Sequence, residues 1–275
     1  MITVVVIAFN RPDYLKKVVE SLRQAEYPDG DVEFILFNDG PNTNGHVKES
    51  IKAWGNLGQV FDSTKNLFIV GNYRRAEEHV FRTLGRESAY FIADDCYVAP
   101  HYFKVIADVE RQLGTKDLPF VNSISGWGQY TTISSNDIGL CTDMNMLSYG
   151  GSRYERWRRL MQSYYDKVEP QKALGVRYER GTSQDVAKMA CVLLSLQVRI
   201  KTLANYCIHC GEQGVHCTRD IFQRAKMHTQ IIAPYVEGLQ YKAPNWLGIY
   251  AQGAKYVLNE TMCARKIGAF QRCLK

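Results

Sequence analysis

The stretch ITVVVIAFNRPDYLKKVVESL, residues 2–22, sets the fold class. Ile2–Ala8 is an unbroken β-branched and apolar run of strand length, the composition of a strand covered on both faces. Asn10, Arg11, Pro12 and Asp13 then punctuate the chain. Asn10 suits a helix cap and Pro12 suits a first turn. Tyr14, Leu15, Val18, Val19 and Leu22 follow at helical spacing. A buried strand feeding an amphipathic helix through a tight connection opens a β–α–β unit.

The same rhythm continues for a hundred residues. A strand is predicted over 34–37, closed by Asn38, Asp39, Gly40 and Pro41. A helix over 46–54, a short strand over 60–61, a helix over 76–84 and a strand over 89–93 come next. Strands alternating with helices predict an α/β fold with a mostly parallel central sheet flanked by helices. Ligands in such sheets bind at the carboxyl ends of the strands. Asn10, Asp39, Asp94 and Asp95 all fall there. The second half is less regular and richer in helix. Helices are predicted over 102–113, 154–165, 183–200 and 220–232, a strand and turn over 120–127, and a glycine-containing turn over 207–217. Beyond Pro234 no element is assigned. The chain reads as a ligand-binding half, 1–125, and a helical half, 126–275, in one continuous globular unit.

The 275 residues are enough to bury a full-sized core, and their composition is that of a folded soluble protein. The net charge of +6 permits phosphate-bearing partners. No run is long and apolar enough to span a bilayer. Met1 leads straight into the first strand without a basic leader or a small-residue cleavage site, which predicts a cytoplasmic protein of bacterial or viral origin. Eight cysteines in such a setting read as free thiols. One stretch, CIHCGEQGVHC at 207–217, gathers Cys207, His209, Cys210, His216 and Cys217. This spacing suits either a structural Zn²⁺ or thiols packed as small hydrophobes.

Four segments, VVVIAFNRPDYLKKVVESL (4–22), NDGP (38–41), NLFIVGNYRRA (66–76) and ADDCYVAPHYF (93–103), together resemble the nucleotide-sugar half of GT-A glycosyltransferases, most closely family 2. The last segment is also similar to the acidic motif of N-acetylglucosaminyltransferase I-like enzymes, and HCGEQGVH (209–216) to a glycine-containing loop of the same enzymes. The resemblance implies a metal-dependent, inverting transfer of a sugar from a nucleotide donor, a UDP-sugar, to an acceptor hydroxyl. A diphosphate leaving group needs its charge neutralised as the bond to the sugar breaks, and a carboxylate-held Mn²⁺ or Mg²⁺ suits that task. By resemblance Asp95 binds the cation, and Asp94 contacts the ribose or the cation's waters. Asp39 accepts from the base or ribose, although Asn38 stands where the family has a first acidic residue. Ala8, Asn10 and Arg11 line the nucleotide; Asn66, Gly71 and Arg74, or Arg75 beside it, meet the diphosphate. Asp185 is the general base, with Asp137 and Asp143 as alternatives. His216 is either a second cation ligand or a member of the cysteine cluster.

Trp127 suits either a sugar platform or the core. Arg153, Arg156, Arg158, Arg159, Arg199 and Lys201, with Tyr154, Trp157, Tyr164 and Tyr165 among them, form basic patches. These suit a nucleic-acid acceptor such as a modified base of DNA, beside the glycan acceptor more usual for the family. Another reading is a glycan- or nucleic-acid-binding module that has lost turnover. A nucleotidyltransferase would need glycines directly after the first strand, and AFNRPDYLKK lacks them.

Overall fold

The computed structural model describes residues 1–40, 45–128, 135–142, 145–173, 184–211, 223 and 229–266. Ten strands and seven helices are described: β1 (Ile2–Ala8), α1 (Pro12–Gln24), β2 (Val32–Asn38), α2 (His46–Trp54), β3 (Gln59–Asp62), α3 (Phe68–Glu78), β4 (Ser88–Ala93), β5 (Cys96–Val98), α4 (Tyr102–Leu113), β6 (Val121–Ser125), β7 (Ile138–Leu140), β8 (Met146–Tyr149), α5 (Gly151–Ala173), α6 (Gln184–Leu194), β9 (Val198–Thr202), β10 (Cys207–His209) and α7 (Trp246–Lys266). Eight strands form one sheet in the order β3-β2-β1-β4-β8-β6-β9-β7. β3, β2, β1 and β4 run parallel. β8 is antiparallel to both β4 and β6, β6 and β9 are parallel, and β7 closes the sheet antiparallel to β9. β5 and β10 form a separate antiparallel ribbon.

Period-2 alternation sends successive β1 side chains to opposite faces. Val4 and Val6 pack under α1 and α4 with Leu15, Val18, Leu22, Phe103 and Ile106. Val5 and Ile7 pack under α3, α5 and α6 with Tyr73, Ala76, Tyr154, Trp157 and Val192. Covering both faces explains why β1 is apolar without interruption. None of the described helices is long and apolar enough to cross a membrane.

Several elements differ from the sequence expectation. Asn10 is not the cap of α1: the cap position is Arg11, without a side-chain cap bond, and Asn10 takes a left-handed φ of 61°. α3 begins at Phe68, eight residues before the predicted start, and runs on through a π-helical turn, His79–Thr83. Its start is stabilised from elsewhere: Leu67 N–H donates to Asp39 Oδ1 at 2.8 Å, and Phe68 N–H to Asn66 Oδ1 at 2.8 Å. The predicted helix over 183–200 stops at Leu194, and the chain turns through a left-handed Leu196 into β9. A short apolar run such as VLLSLQVRI fits either period, and the open sheet edge at β6 decided the outcome. Arg199 consequently lies in the sheet, 1 % exposed, and not in a surface patch. Residues 207–209 are a strand instead of a turn. Most of the helix predicted over 220–232 lies outside the described residues.

Candidate active site

Asp94 and Asp95 directly follow β4 and are 1 % and 4 % exposed. Desolvating two adjacent carboxylates requires compensation. The first partner is Arg11, in the connection from β1 to α1. Its guanidinium pairs through Nη2 with Asp94 and through Nη1 with Asp95. The second is the Phe9 N–H, which donates to Asp94 Oδ2 at 2.9 Å. The third is His209 of β10, whose Nε2 lies 3.2 Å from Asp95 Oδ2. Burial, with the neighbouring Asp95 charge added, pushes the Asp94 carboxyl up despite Arg11. Burial acts on Asp95 in the same sense, but the hydrogen bond and charge of His209 together with Arg11 hold it below the usual carboxylate range. The pair therefore behaves as one firmly ionised carboxylate beside one that takes up a proton more readily.

His209 is positioned by the β5–β10 ribbon, whose register sets it directly opposite Cys96. Cys210 N–H donates to the Asp95 carbonyl at 2.7 Å. Gln230 grips the His209 backbone at both groups, accepting its N–H at 3.0 Å and donating to its carbonyl at 2.7 Å. Trp127 stacks on the imidazole, ring centroids 5.6 Å apart at 15°, and its Nε1–H donates to Gln230 at 3.2 Å. Trp127 is half-buried against the core, as one of the two sequence readings expected. Gly211 backs the carboxylate: a Cβ there would fall 2.2 Å from Asp95 Oδ2.

One donor atom each from the Asp95 carboxylate, Cys96 Sγ and the His209 imidazole lie within 4.8 Å of one another, a set able to hold a metal ion. Sequence reasoning put His209 in a cysteine cluster and looked to His216 for the cation. His216 and Cys217 lie outside the described residues. Cys207 is fully buried in the apolar core, and the described residues of that stretch do not gather into a zinc site. Burial, then the Asp95 charge, pushes the Cys210 thiol up to about 11.

Asp39 stands two strands away, at the carboxyl end of β2. Its Oδ1 accepts from Leu67 N–H and from Gly40 N–H at 3.0 Å, while the buried Oδ2 has no hydrogen-bond partner. Burial pushes its pKa up against those two N–H groups. Gly40 admits no side chain, since a Cβ would lie 2.1 Å from the Ser63 carbonyl. The Ala8 carbonyl accepts from Asp39 N–H at 2.9 Å, and Asn72 of α3 ties the Ala8 and Phe37 carbonyls together at 3.4 and 2.9 Å.

The other expected residues are dispersed. Asn66 serves the start of α3, and Gly71 lies within that helix. Arg75 is a strut, donating to the Asp62, Phe61 and Asn38 carbonyls and to Asn72 Oδ1. Arg74 reaches Gln162 of α5 at 3.2 Å. Asp185 occupies the first turn of α6. Asp137 pairs with Lys242 at 3.0 Å, and Asp143 lies outside the described residues. The basic patch is largely dissolved by folding: Tyr154 and Trp157 are core residues, and Arg158 pairs with Glu78 and Glu155. Arg153 covers the Tyr149 ring at 4.1 Å, and Arg156 and Arg159 remain exposed. Sequence reasoning missed Phe9, Cys96 as a donor, Gly211 and Gln230.

Residues 3–132 match the family model of Glycosyl transferase family 2. No curated protein matches the sequence. Among solved structures, the chain is similar to S. aureus TarS, with 12% identity and a TM-score of 0.47 over 94% of this chain. It spans 43% of that TarS chain. TarS 1–349 in complex with UDP matches over 75% of this chain and 60% of its own, at 13% identity and a TM-score of 0.45. The mannosyltransferase PcManGT from Pyrobaculum calidifontis, in complex with GDP-Man and Mn2+, matches over 99% of this chain and 79% of its own, at 13% identity and a TM-score of 0.49.

Proposed function

We propose, from the premise that residues 3–132 are a family 2 glycosyltransferase domain and the chain a glycosyltransferase, that it moves a sugar from a nucleoside diphosphate donor to an acceptor hydroxyl in a cation-dependent, inverting reaction. The observation that carries this reading is the buried Asp94–Asp95 pair at the carboxyl end of β4, met by Arg11 from one side and His209 from the other. The donor set fits a divalent cation: an ionised carboxylate and an imidazole nitrogen, 3.2 Å apart, converge from different strands. When bound there, the cation neutralises charge on the departing diphosphate.

The chain's own groups supply the rest. Asp95 and His209 would hold the cation, with His216 as the further ligand expected from the sequence. Asp94 accepts from the ribose. The free Oδ2 of Asp39 accepts from a base N–H, and the imide N–H of uracil suits it, which supports a UDP-sugar. Ala8, Phe9, Asn10 and Asn66 line the nucleotide. Arg11, which pairs with both carboxylates, would turn to the diphosphate, together with Arg74 and the α3 backbone at Gly71. Asp185 takes the acceptor proton as the acceptor oxygen bonds to the anomeric carbon and the carbon–phosphate oxygen bond breaks. Residues 126–275 carry the acceptor. A glycan hydroxyl is the better-supported acceptor, because Tyr154, Trp157 and Arg199, expected to face nucleic acid, are buried.

The test is release of nucleoside diphosphate from a panel of UDP- and GDP-sugars with Mn²⁺, Mg²⁺ or EDTA. Slow, cation-dependent release from one donor is expected. Neither release nor cation-dependent nucleotide binding would overturn the proposal and leave a binding module without turnover. A companion prediction concerns Gly211→Ala. Its Cβ would collide with the Asp95 carboxylate, which must then leave its position. Cation-dependent nucleotide affinity, read by calorimetry, should fall by about 10–100-fold while circular dichroism is unchanged.

A further inference from the structure

We infer that Cys96 is a third protein ligand of this cation site, making it a carboxylate–thiolate–imidazole site that takes Zn²⁺ or Co²⁺ in preference to Mg²⁺. The inference rests on the proposed role of Asp95 and His209 at the cation and goes beyond it. Three observations carry it. In the β5–β10 ribbon Cys96 is the direct cross-strand neighbour of His209. Directly opposed residues of an antiparallel pair share a face with their Cβ atoms about 5 Å apart. Cys96 Sγ is 3.8 Å from Asp95 Oδ1, while His209 Nε2 is 3.2 Å from the same residue's Oδ2, so Asp95 stands between the two soft donors. All three donor atoms fall within 4.8 Å. Ligands at metal–donor distances of about 2.0–2.3 Å sit under 4 Å from one another in a tetrahedral shell, so small side-chain shifts close the set.

The surroundings fix the thiol. Cys96 is fully buried, and Asn145 Nδ2–H donates to its Sγ at 3.1 Å. Asn145 is held in turn, accepting from Ala93 N–H at 2.8 Å. On coordination the thiol proton passes to solvent and the sulfur–metal bond forms in its place. An all-oxygen site suits Mg²⁺; one thiolate and one imidazole shift preference toward borderline and softer ions. The thiol nearby on β10's exit, Cys210, instead donates to the Asp95 carbonyl at 3.2 Å.

Titration of the metal-free protein with Co²⁺ tests this. Visible ligand-field bands report cobalt binding, and a sulfur-to-cobalt charge-transfer band in the near ultraviolet reports a thiolate ligand. Both are expected in the wild type. In Cys96→Ser the charge-transfer band should vanish, the visible bands should persist, and cobalt affinity should fall by at least about tenfold. Cys96→Ala repeats the test without a hydroxyl, and persistence of visible bands shows that each variant still folds. Zn²⁺ should bleach the wild-type spectrum at stoichiometric amounts, and Mg²⁺ in large excess should not. Visible bands without charge transfer in the wild type would overturn the inference and leave Asp95 and His209 as ligands. A charge-transfer band that survives Cys96→Ser would overturn it in favour of another cysteine. No cobalt spectrum at all would overturn it too, and the donor-release assay with Mn²⁺ would then decide separately whether the proposed function stands.

Discussion

Asp95→Asn is expected to lower donor turnover by about 10²–10³-fold, the scale seen when one charge-stabilising group is removed from a reacting centre. The substitution keeps the size of the side chain but removes the charge that faces both Arg11 and His209. The loss should fall on turnover at saturating donor and on cation dependence, with nucleotide affinity in EDTA much less affected. Stability is the discriminating readout. Asp94 and Asp95 are adjacent buried carboxylates, and removing one negative charge relieves their repulsion while Arg11 keeps Asp94 as partner. Against that relief stands the loss of the Arg11 and His209 contacts that hold Asp95 ionised, so Tm should fall by only a few degrees and the protein stay folded. A variant that lost activity only because it unfolded would show Asp95 to be structural.

The second large effect lies on the opposite face of the sheet. Glu77 of α3 and Lys188 of α6 form an ion pair with side chains 3 % and 7 % exposed. Lys188 Nζ also lies 5.3 Å from the Tyr73 ring centroid and 4.9 Å from that of Trp157. Lys188→Met fills nearly the same volume but leaves the Glu77 carboxylate without its partner. Breaking a buried pair in this way costs about 3–5 kcal/mol, or roughly 10 °C in Tm for a chain of this size. The double variant Glu77→Gln, Lys188→Met should recover part of the loss, because the Glu77 carboxylate is no longer stranded, while the buried Arg199 loses the Glu77 charge. Urea unfolding of the two single variants and the double measures the coupling. A Lys188→Met protein as stable as the wild type would mean that Glu77 is protonated in the fold. Burial pushes its carboxyl in that direction, and Lys188 opposes it.

Sequence and structure divide the site between them. The strands β1, β2 and β4 were legible because each is a short apolar run covered on both faces, and such runs need no partner to be recognised. Their ends were legible too. Asp39, Asp94 and Asp95 follow apolar runs immediately, so local order alone put them on one edge of a parallel sheet. α1 was equally plain, since Leu15, Val18, Val19 and Leu22 form one stripe, all fully buried or nearly so.

What local pattern could not supply was the partner of each charge. The Asp94–Asp95 pair is met by Arg11, more than eighty residues earlier, and by His209, more than a hundred later. Neither pairing leaves a trace in spacing. His209 looked like a zinc ligand because it lies between two cysteines in sequence. In space Cys207 lies in the core, and the ribbon's register sets His209 opposite Cys96 and beside Asp95. Arg75 looked like a phosphate ligand and became a strut for the β2 and β3 carbonyls. Arg199 looked exposed and proved to be buried, bonded to Ser123 and Met146, because the chain after α6 found a sheet edge to join. The sequence by itself determined a parallel α/β sheet with acids along its carboxyl edge, since hydrophobic period and strand-end chemistry are local properties. Only the tertiary structure decided which histidine, which arginine and which cysteine meet those acids, because strand register and helix packing set those contacts and no short-range pattern encodes them.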